Sequence, residues 1–371
     1  MKHEAPAVFS GAAIIECIRR PESLVHLSLR QWDVLLRVCR RANLLGRLAE
    51  GIEAAGIDAQ VPKQVRPHLV SARVLTAHQR EAIVWETRHI EKALSALQAP
   101  VVLLKGTAYA IRGLAAAHGR LFGDVDILVP RPTLNSVEAA LMVQGWASGH
   151  HDDYDDRYYR EWMHEIPPMT HRARGTVIDV HHNILPLIAR NSPDADMLFE
   201  TSQPVQGTKF RTLSSIDMVI HSATHLFHES ELQNGLRDLF DLDALLREFS
   251  AQSDRFWEEL PSRATRLGLE LPLLLALRYT RALLGTPVPE ALVPRLQASA
   301  RLGSLALRIL DAIYLRALMP DHPASRTWSQ VMARGCVYLR GHALRMPAGR
   351  LTLHLTRKLV LRMFRNTSRS H

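Results

Sequence analysis

Two short stretches decide the fold: residues 101–107 read VVLLKGT, and residues 124–129 read DVDILV. The first is a run of β-branched and aliphatic residues that stops at a lysine and a glycine, which is typical of a buried strand before a turn. A helical stretch over 107–117 follows it. In the second, charged and apolar residues alternate, which predicts a strand with both aspartates on the same side.

The sequence after these stretches extends the same unit. Residues 132–144 predict a helix, with Pro132 in its first turn and Gly145 just past its end. Residues 169–180 predict a β-hairpin that turns at Arg174 and Gly175. The order strand, helix, strand, helix, hairpin describes an α/β unit built on a short mixed sheet.

Helical periodicity dominates both flanks of this unit, before residue 96 and after residue 213. We therefore predict an α+β, predominantly helical protein, in which a small mixed-sheet core is flanked by N- and C-terminal helical regions. The predicted boundaries are an N-terminal helical region over 1–95, an α/β core over 96–212, a C-terminal helical domain over 213–321 and a basic helical tail over 322–371.

Composition narrows the class of protein. Apolar residues make up 47% and charged residues 22% of the 371 residues, which argues against wholesale disorder and against a coiled coil. The three cysteines, Cys17, Cys39 and Cys336, show no CxxC spacing, which argues against a disulfide framework and a cysteine-rich zinc module. With neither a signal peptide nor a membrane-spanning segment predicted, we expect a cytoplasmic location.

Three carboxylates lie where a purely structural strand would not place them. Asp124 and Asp126 share one strand face, where their charges repel, and Asp179 interrupts the apolar strand 177–180. If the three converge, they form an oxygen-rich site of the kind that Mg²⁺ prefers. The alternative is that the paired aspartates mark a solvated strand end.

Lys105, Gly106 and Thr107 stand between a predicted strand and a predicted helix. The free N–H groups of a helix start favour an anion, Gly106 permits close approach, and the Thr107 hydroxyl can donate a hydrogen bond. Alone, these three residues are better explained as the end of a strand. Together with the three aspartates, they predict a phosphate site next to a metal site.

The combined order of motifs resembles the DNA polymerase β-type nucleotidyltransferase superfamily. It is the order strand, Lys105-Gly106-Thr107, helix, then Arg120 before Asp124 and Asp126, then Ile178-Asp179-Val180-His181. The chain is most similar to a bacterial branch of uncharacterised nucleotidyltransferases often associated with polysaccharide gene clusters. The resemblance covers roughly residues 95–245.

The resemblance implies roles for single residues. It implies that Asp124, Asp126 and Asp179 hold two divalent ions, Mg²⁺ or Mn²⁺, and that Gly106 and Thr107 hold the triphosphate. Lys105 and Arg120 are suited to neutralise triphosphate oxygens, and His181 matches a position that the family often occupies with histidine. Thr107 departs from the serine of the wider superfamily but keeps the hydroxyl.

The implied activity is transfer of a nucleoside monophosphate from a nucleoside triphosphate to an acceptor hydroxyl or phosphate, with release of pyrophosphate. The acceptor stays open among a sugar, a sugar phosphate, a protein side chain and an RNA end. Two alternatives also stay open. One is a catalytically inactive member, and the other is a nucleotide-sensing module that a basic tail tethers to a membrane or a polyanion.

Two later helical stretches carry histidine or aspartate side chains on one face. His221, His225 and His228 share one helix face, but Ser222 excludes the HExxH zinc pattern, so we expect this helix to pack near the nucleotide pocket with one or two histidines lining it. Asp238 and Asp241 lie three residues apart on the next helix, and we assign them no catalytic role.

The positive charge of the chain is concentrated at its C-terminal end. Residues 322–371 contain ten lysines and arginines and no acidic residue, while the whole chain has a net charge of +9. Residues 350–365 predict an amphipathic basic helix with Leu351, Leu355 and Leu359 on one face. It could contact an anionic membrane surface, which would make the protein peripheral to the inner face of the membrane, or RNA phosphates, or be a plain surface helix.

Overall fold

The computed structural model describes residues 10–149, 162–189 and 191–345. The predicted helix over 350–365 lies outside the described residues. The α+β, predominantly helical class is confirmed. No described helix is long and apolar enough to cross a membrane.

Among the residues described from residue 10 onward, four α-helices precede the sheet. They are α1 Gly11–Arg19, α2 Leu29–Arg41, α3 Leu45–Ala54 and α4 Arg66–Ala93. The Gln31 backbone N–H donates a hydrogen bond to the Ser28 hydroxyl oxygen, and the Ser28 backbone N–H donates one to Gln31 Oε1, which closes a capping box at the start of α2. This pairing explains why α2 begins where serine and glutamine stand three residues apart.

A seven-stranded mixed sheet forms the centre of the fold. Its strands are β1 Val102–Leu103, β2 Asp124–Leu128, β3 Trp146–Ser148, β4 Met169–His171, β5 Val177–His181, β6 Gln203–Pro204 and β7 Arg211–Thr212. They follow the order β3-β4-β5-β2-β1-β7-β6. The two longest strands, β2 and β5, lie side by side and parallel, and β4 pairs antiparallel with β5 as the predicted hairpin requires.

Helices α5 Lys105–Ile111 and α6 Leu134–Val143 connect the strands. The prediction of one helix over 107–117 is wrong in extent. The helix starts at Lys105, ends before Gly113 at φ +64°, and is followed by a separate 3₁₀ turn over Ala115–Ala117. A glycine with positive φ ends a helix because other residues adopt that conformation only at a cost.

Eight further α-helices follow β5 within residues 191–345. They are α7 Asp196–Thr201, α8 Ser215–His228, α9 Gly235–Gln252, α10 Phe256–Leu267, α11 Glu270–Tyr279, α12 Leu292–Ser299, α13 Ser304–Ala317 and α14 Trp328–Arg345. The buried apolar side chains of the described residues form one continuous cluster that runs from α1 to α14. Helices α8 and α9 pack against each other, α8 packs against α5, and both line the cavity described below.

Candidate active site

Asp126 and Asp179 stand directly opposite each other on the parallel strands β2 and β5. Neighbours in register on two strands point to the same face of a sheet, so the two side chains project together. An oxygen of each carboxylate and a nitrogen of His181 all lie within 4.8 Å of one another. The structure therefore brings together two of the three predicted carboxylates at the middle of the sheet.

Lys105 is the first residue of α5 and has φ +44°, a backbone conformation that non-glycine residues rarely adopt. Its ammonium Nζ donates to Asp126 Oδ1 at 2.8 Å. Burial opposes a charge at this place, but the Asp126 carboxylate outweighs it and raises the pKa of Lys105. Strain of this kind is characteristic of functional sites.

His181 lies between two carboxylates. Its Nε2 is 3.0 Å from Asp126 Oδ1, and its Nδ1 is 3.2 Å from Glu165 Oε2. Burial alone would raise the pKa of Asp126, but Lys105 and His181 together lower it well below its usual range. Asp126, which is 3% exposed, is therefore a fixed negative charge inside the protein.

Asp179 is compensated less, because the nearby His181 lowers its pKa but does not outweigh burial. Its Oδ1 is buried and has no hydrogen-bond partner among the described residues. Burial raises the pKa of Asp179 to about 7, and the negative charge of Asp126 adds to the effect. A buried oxygen without a partner, beside a second carboxylate, fits a divalent cation, whose charge would satisfy both.

A cavity of about 380 Å³ opens beside these residues. Its walls come from α5, the segment that leads into β2, and helices α8 and α9. The lining residues are Asn43, Lys105, Gly106, Tyr109, Arg120, Leu121, Phe122, Gly123, Asp124, Asp126, Ser222, His225, Asn234, Arg237, Asp238 and Asp241. Asp124 and Asp126 thus reach the same cavity as Lys105, Gly106 and Arg120.

The position of the Arg120 guanidinium leaves no space for a side chain at residue 106. A Cβ atom at Gly106 would lie 2.2 Å from Arg120 Nη1 and 2.9 Å from its Cζ, so only glycine lets the guanidinium pass. Arg120 Nε donates to Asp241 Oδ2 at 2.9 Å, and Arg47 donates to the other oxygen of that carboxylate at 2.6 Å. The sequence predicts that Gly106 permits the close approach of a phosphate. The structure shows that it permits the close approach of the Arg120 guanidinium.

Thr107 and Asp179 lie behind the cavity wall. The Thr107 side chain is buried, its hydroxyl has no hydrogen-bond partner among the described residues, and Thr107 does not line the cavity. Asp179 and His181 do not line it either, but both adjoin Asp126, which does. Of the eight predicted site residues, five share the cavity: Lys105, Gly106, Arg120, Asp124 and Asp126.

Sequence reasoning missed some residues of the site. Asp238 and Asp241 line the cavity, although the sequence predicts no role for them. The spacing of charges on a helix does not reveal which arginines face that helix. Glu165 and His164 were not singled out, since no motif surrounds them. One or two of the histidines His221, His225 and His228 were expected to line the pocket, and His225 does.

Comparison with known proteins identifies a family. Residues 28–285 match a family described as uncharacterised nucleotidyltransferases, and this range contains every element of the site. No curated protein sequence and no solved structure matches the chain.

Proposed function

Because this chain belongs to the family of uncharacterised nucleotidyltransferases, we propose that its cavity binds a nucleoside triphosphate with two divalent ions and transfers the nucleoside monophosphate to an acceptor. The ions are Mg²⁺ or Mn²⁺, and the acceptor presents a hydroxyl or a phosphate. One observation carries the proposal: Asp126 and Asp179 are in register beside a cavity that also presents Asp124, Lys105, Gly106 and Arg120.

Asp124, Asp126 and Asp179 would hold the two ions. Bound there, the ions would supply positive charge to the phosphates and make the acceptor hydroxyl more acidic. The fit rests on the donor set, three carboxylates, and on the buried Asp179 oxygen that lacks a partner.

The chain's own side chains perform the remaining tasks. Arg120 and Lys105 bind triphosphate oxygens, and Asp241 holds the Arg120 guanidinium in place. Asp179 accepts the proton of the acceptor hydroxyl. The acceptor oxygen then forms a bond to the α-phosphorus, the bond from that phosphorus to the bridging oxygen breaks, and pyrophosphate leaves.

Pyrophosphate release tests the proposal. The full chain is incubated with Mg²⁺ and each of the four nucleoside triphosphates, with a panel of sugar, sugar-phosphate, peptide and RNA acceptors. We expect release with at least one pair, and a loss of about a hundredfold in Asp124→Asn and Asp126→Asn. The control Asp33→Asn removes an exposed carboxylate of α2 and should leave the rate unchanged. Equal rates in all four proteins would contradict nucleotidyl transfer.

A nucleotide-sensing module is the second candidate. The ion pairs of Lys105 and Arg120 with buried carboxylates favour such a module, because a site that only binds a triphosphate needs the same cations as a catalytic site. Tight binding of a triphosphate without pyrophosphate release against the whole acceptor panel would select this alternative.

We also propose that the C-terminal region contacts an anionic membrane surface. Among the α14 residues whose side chains are described, every exposed one is uncharged, and Trp328, Met332 and Leu339 are 84%, 68% and 60% exposed. Arg334 and Arg340 point inward instead, to Asp321 and to Tyr314. An apolar exposed face followed in sequence by a basic segment suits the interface of an anionic bilayer.

A further inference from the structure

A second group of potential metal ligands lies next to the carboxylate site. One nitrogen of His164, one of His181 and one oxygen of Glu165 all lie within 4.8 Å of one another. The group is distinct from the carboxylates that we assign to Mg²⁺, because it uses the opposite side of the His181 ring. His181 Nε2 faces Asp126, and His181 Nδ1 faces Glu165.

Backbone pairing fixes the three residues relative to each other. Glu165 forms an isolated antiparallel bridge with His181 at the end of β5. The His182 amide donates to the His164 carbonyl at 2.7 Å, and the Ile166 amide donates to the Val180 carbonyl at 3.0 Å. The rings of His164 and His181 stack with their centroids 5.3 Å apart. The side chains therefore project from paired backbone rather than from an independent loop.

The orientation of His181 is the one that metal-binding histidines adopt. Such a histidine binds the metal through one nitrogen while the other donates to a carboxylate, which fixes the tautomer and makes the ring a better ligand. Asp126 is that carboxylate here, with its Oδ1 3.0 Å from His181 Nε2. Nδ1 is thereby directed at Glu165.

The distances suit a small tetrahedral ion. Zinc bonds of about 2.0–2.1 Å to nitrogen and oxygen imply a separation of about 3.3 Å between neighbouring ligand atoms. His181 Nδ1 and Glu165 Oε2 are 3.2 Å apart. The His164 nitrogen, within 4.8 Å of both, reaches the same ion by a side-chain movement of about 1–2 Å.

We propose that His164, Glu165 and His181 bind one divalent transition-metal ion of the zinc type, separately from the two ions of the carboxylate site. Two imidazoles and one carboxylate select such an ion over Mg²⁺, which prefers oxygen. The same donor set with an open fourth position occurs in catalytic zinc sites. Because Asp126 touches both sites, the zinc-type ion would orient a carboxylate of the transfer site.

Zinc binding by the full chain, without an affinity tag and after treatment with a chelator, tests the proposal. Titration calorimetry with Zn²⁺ is performed in excess Mg²⁺, which saturates the carboxylate site. We expect one Zn²⁺ to bind in the wild type, and at least tenfold weaker binding in His164→Ala and Glu165→Gln. Zinc-edge X-ray absorption should count two imidazole ligands in the wild type and one in His164→Ala.

Matched controls separate this site from others. His68→Ala removes an exposed histidine and Glu259→Gln removes an exposed carboxylate, both outside the group, so both variants should bind Zn²⁺ as the wild type does. Glu165→Gln keeps the side-chain shape and decides the outcome if His164→Ala does not fold. Absence of Zn²⁺ binding, or equal affinity in wild type and Glu165→Gln, would overturn the proposal. Since no nucleotide is present, failure of nucleotidyl transfer would not affect the result.

Discussion

Gly106 and Arg120 show how one residue without a side chain organises the cavity. The guanidinium of Arg120 occupies the space that a Cβ at Gly106 would need, and Asp241 holds it there. Neither fact is readable from the sequence, in which the glycine stands fourteen positions before the arginine. The sequence motif predicts a close approach at Gly106 but does not reveal that the Arg120 guanidinium lies there.

Gly106→Ala should therefore weaken both folding and nucleotide binding. The added methyl displaces Arg120 from Asp241, which we expect to lower the free energy of unfolding by about 1–3 kcal/mol and to raise the Kd for a nucleoside triphosphate about tenfold. Urea unfolding and titration calorimetry measure the two effects. Gly335→Ala, at an exposed helical glycine with open space around it, is the control and should not weaken either. Wild-type affinity in Gly106→Ala would contradict the role of Arg120.

His221 predicts a specific dependence of stability on pH. Burial, with the nearby charges of Lys105 and His181 adding to it, lowers the pKa of His221 to about 3. Between the ordinary pKa of about 6.5 and 3, the unfolded chain takes up a proton at this residue and the folded chain does not, so stability falls as the pH falls.

From pH 6.5 to pH 5 this residue should cost about 2 kcal/mol. His221→Gln should lose less stability than the wild type over the same interval, and by that difference. Urea unfolding of both proteins at the two pH values measures it. Parallel losses in wild type and variant would show that His221 is protonated in the folded state.

At the scale of whole elements, one buried carboxylate joins three parts of the chain. Asp241 on α9 accepts hydrogen bonds from Arg47 on α3 and from Arg120 in the segment before β2. Asp241 is 2% exposed, so removing its charge leaves two arginines without their partner. Breaking a buried ion pair from one side costs far more than breaking an exposed pair.

Asp241→Asn should lower the free energy of unfolding by about 3–5 kcal/mol. Glu259→Gln, which breaks an exposed pair with Arg255 on α10, should lower it by less than about 1 kcal/mol. Both values come from urea unfolding curves. A loss of less than about 1 kcal/mol in Asp241→Asn would mean that the arginines find other partners.

The elements themselves differ in how far the sequence predicts them. Strands β2 and β5 follow from alternation and β-branching, and the hairpin follows from Gly175 between two such runs. The register that sets Asp126 opposite Asp179 does not, because it depends on two strands far apart in the chain. The predicted extent of α5 is wrong because the helical periodicity of the sequence continues through Gly113, whereas the helix ends before that residue.

At the scale of the whole molecule, positive charge is concentrated at the C-terminal end, where it follows a helix with exposed apolar side chains. Helix α14 presents an uncharged exposed face, and residues 346–371 follow with six lysines and arginines and no acidic residue. Each basic residue near an anionic membrane contributes about 1 kcal/mol of attraction, which salt screens.

Deletion after Pro347 should therefore weaken binding to vesicles that contain phosphatidylserine at least tenfold, and less so at high salt. Trp328→Ser should weaken it at all salt concentrations, since it removes apolar insertion rather than charge. Vesicle sedimentation measures both, with pure phosphatidylcholine vesicles as the control. Unchanged sedimentation of both variants, or binding to RNA in place of vesicles, would contradict a membrane contact.

The proposed function depends on Asp124, Asp126 and Asp179 holding divalent ions beside a bound triphosphate. A crystal structure with Mn²⁺ and a non-hydrolysable nucleoside triphosphate tests it most directly, because the anomalous signal of Mn²⁺ locates each ion. We predict two Mn²⁺ peaks among these three carboxylates, with triphosphate oxygens against Lys105 and Arg120. Mn²⁺ or triphosphate bound elsewhere, with Asp126 still paired only to Lys105 and His181, would contradict the proposed function.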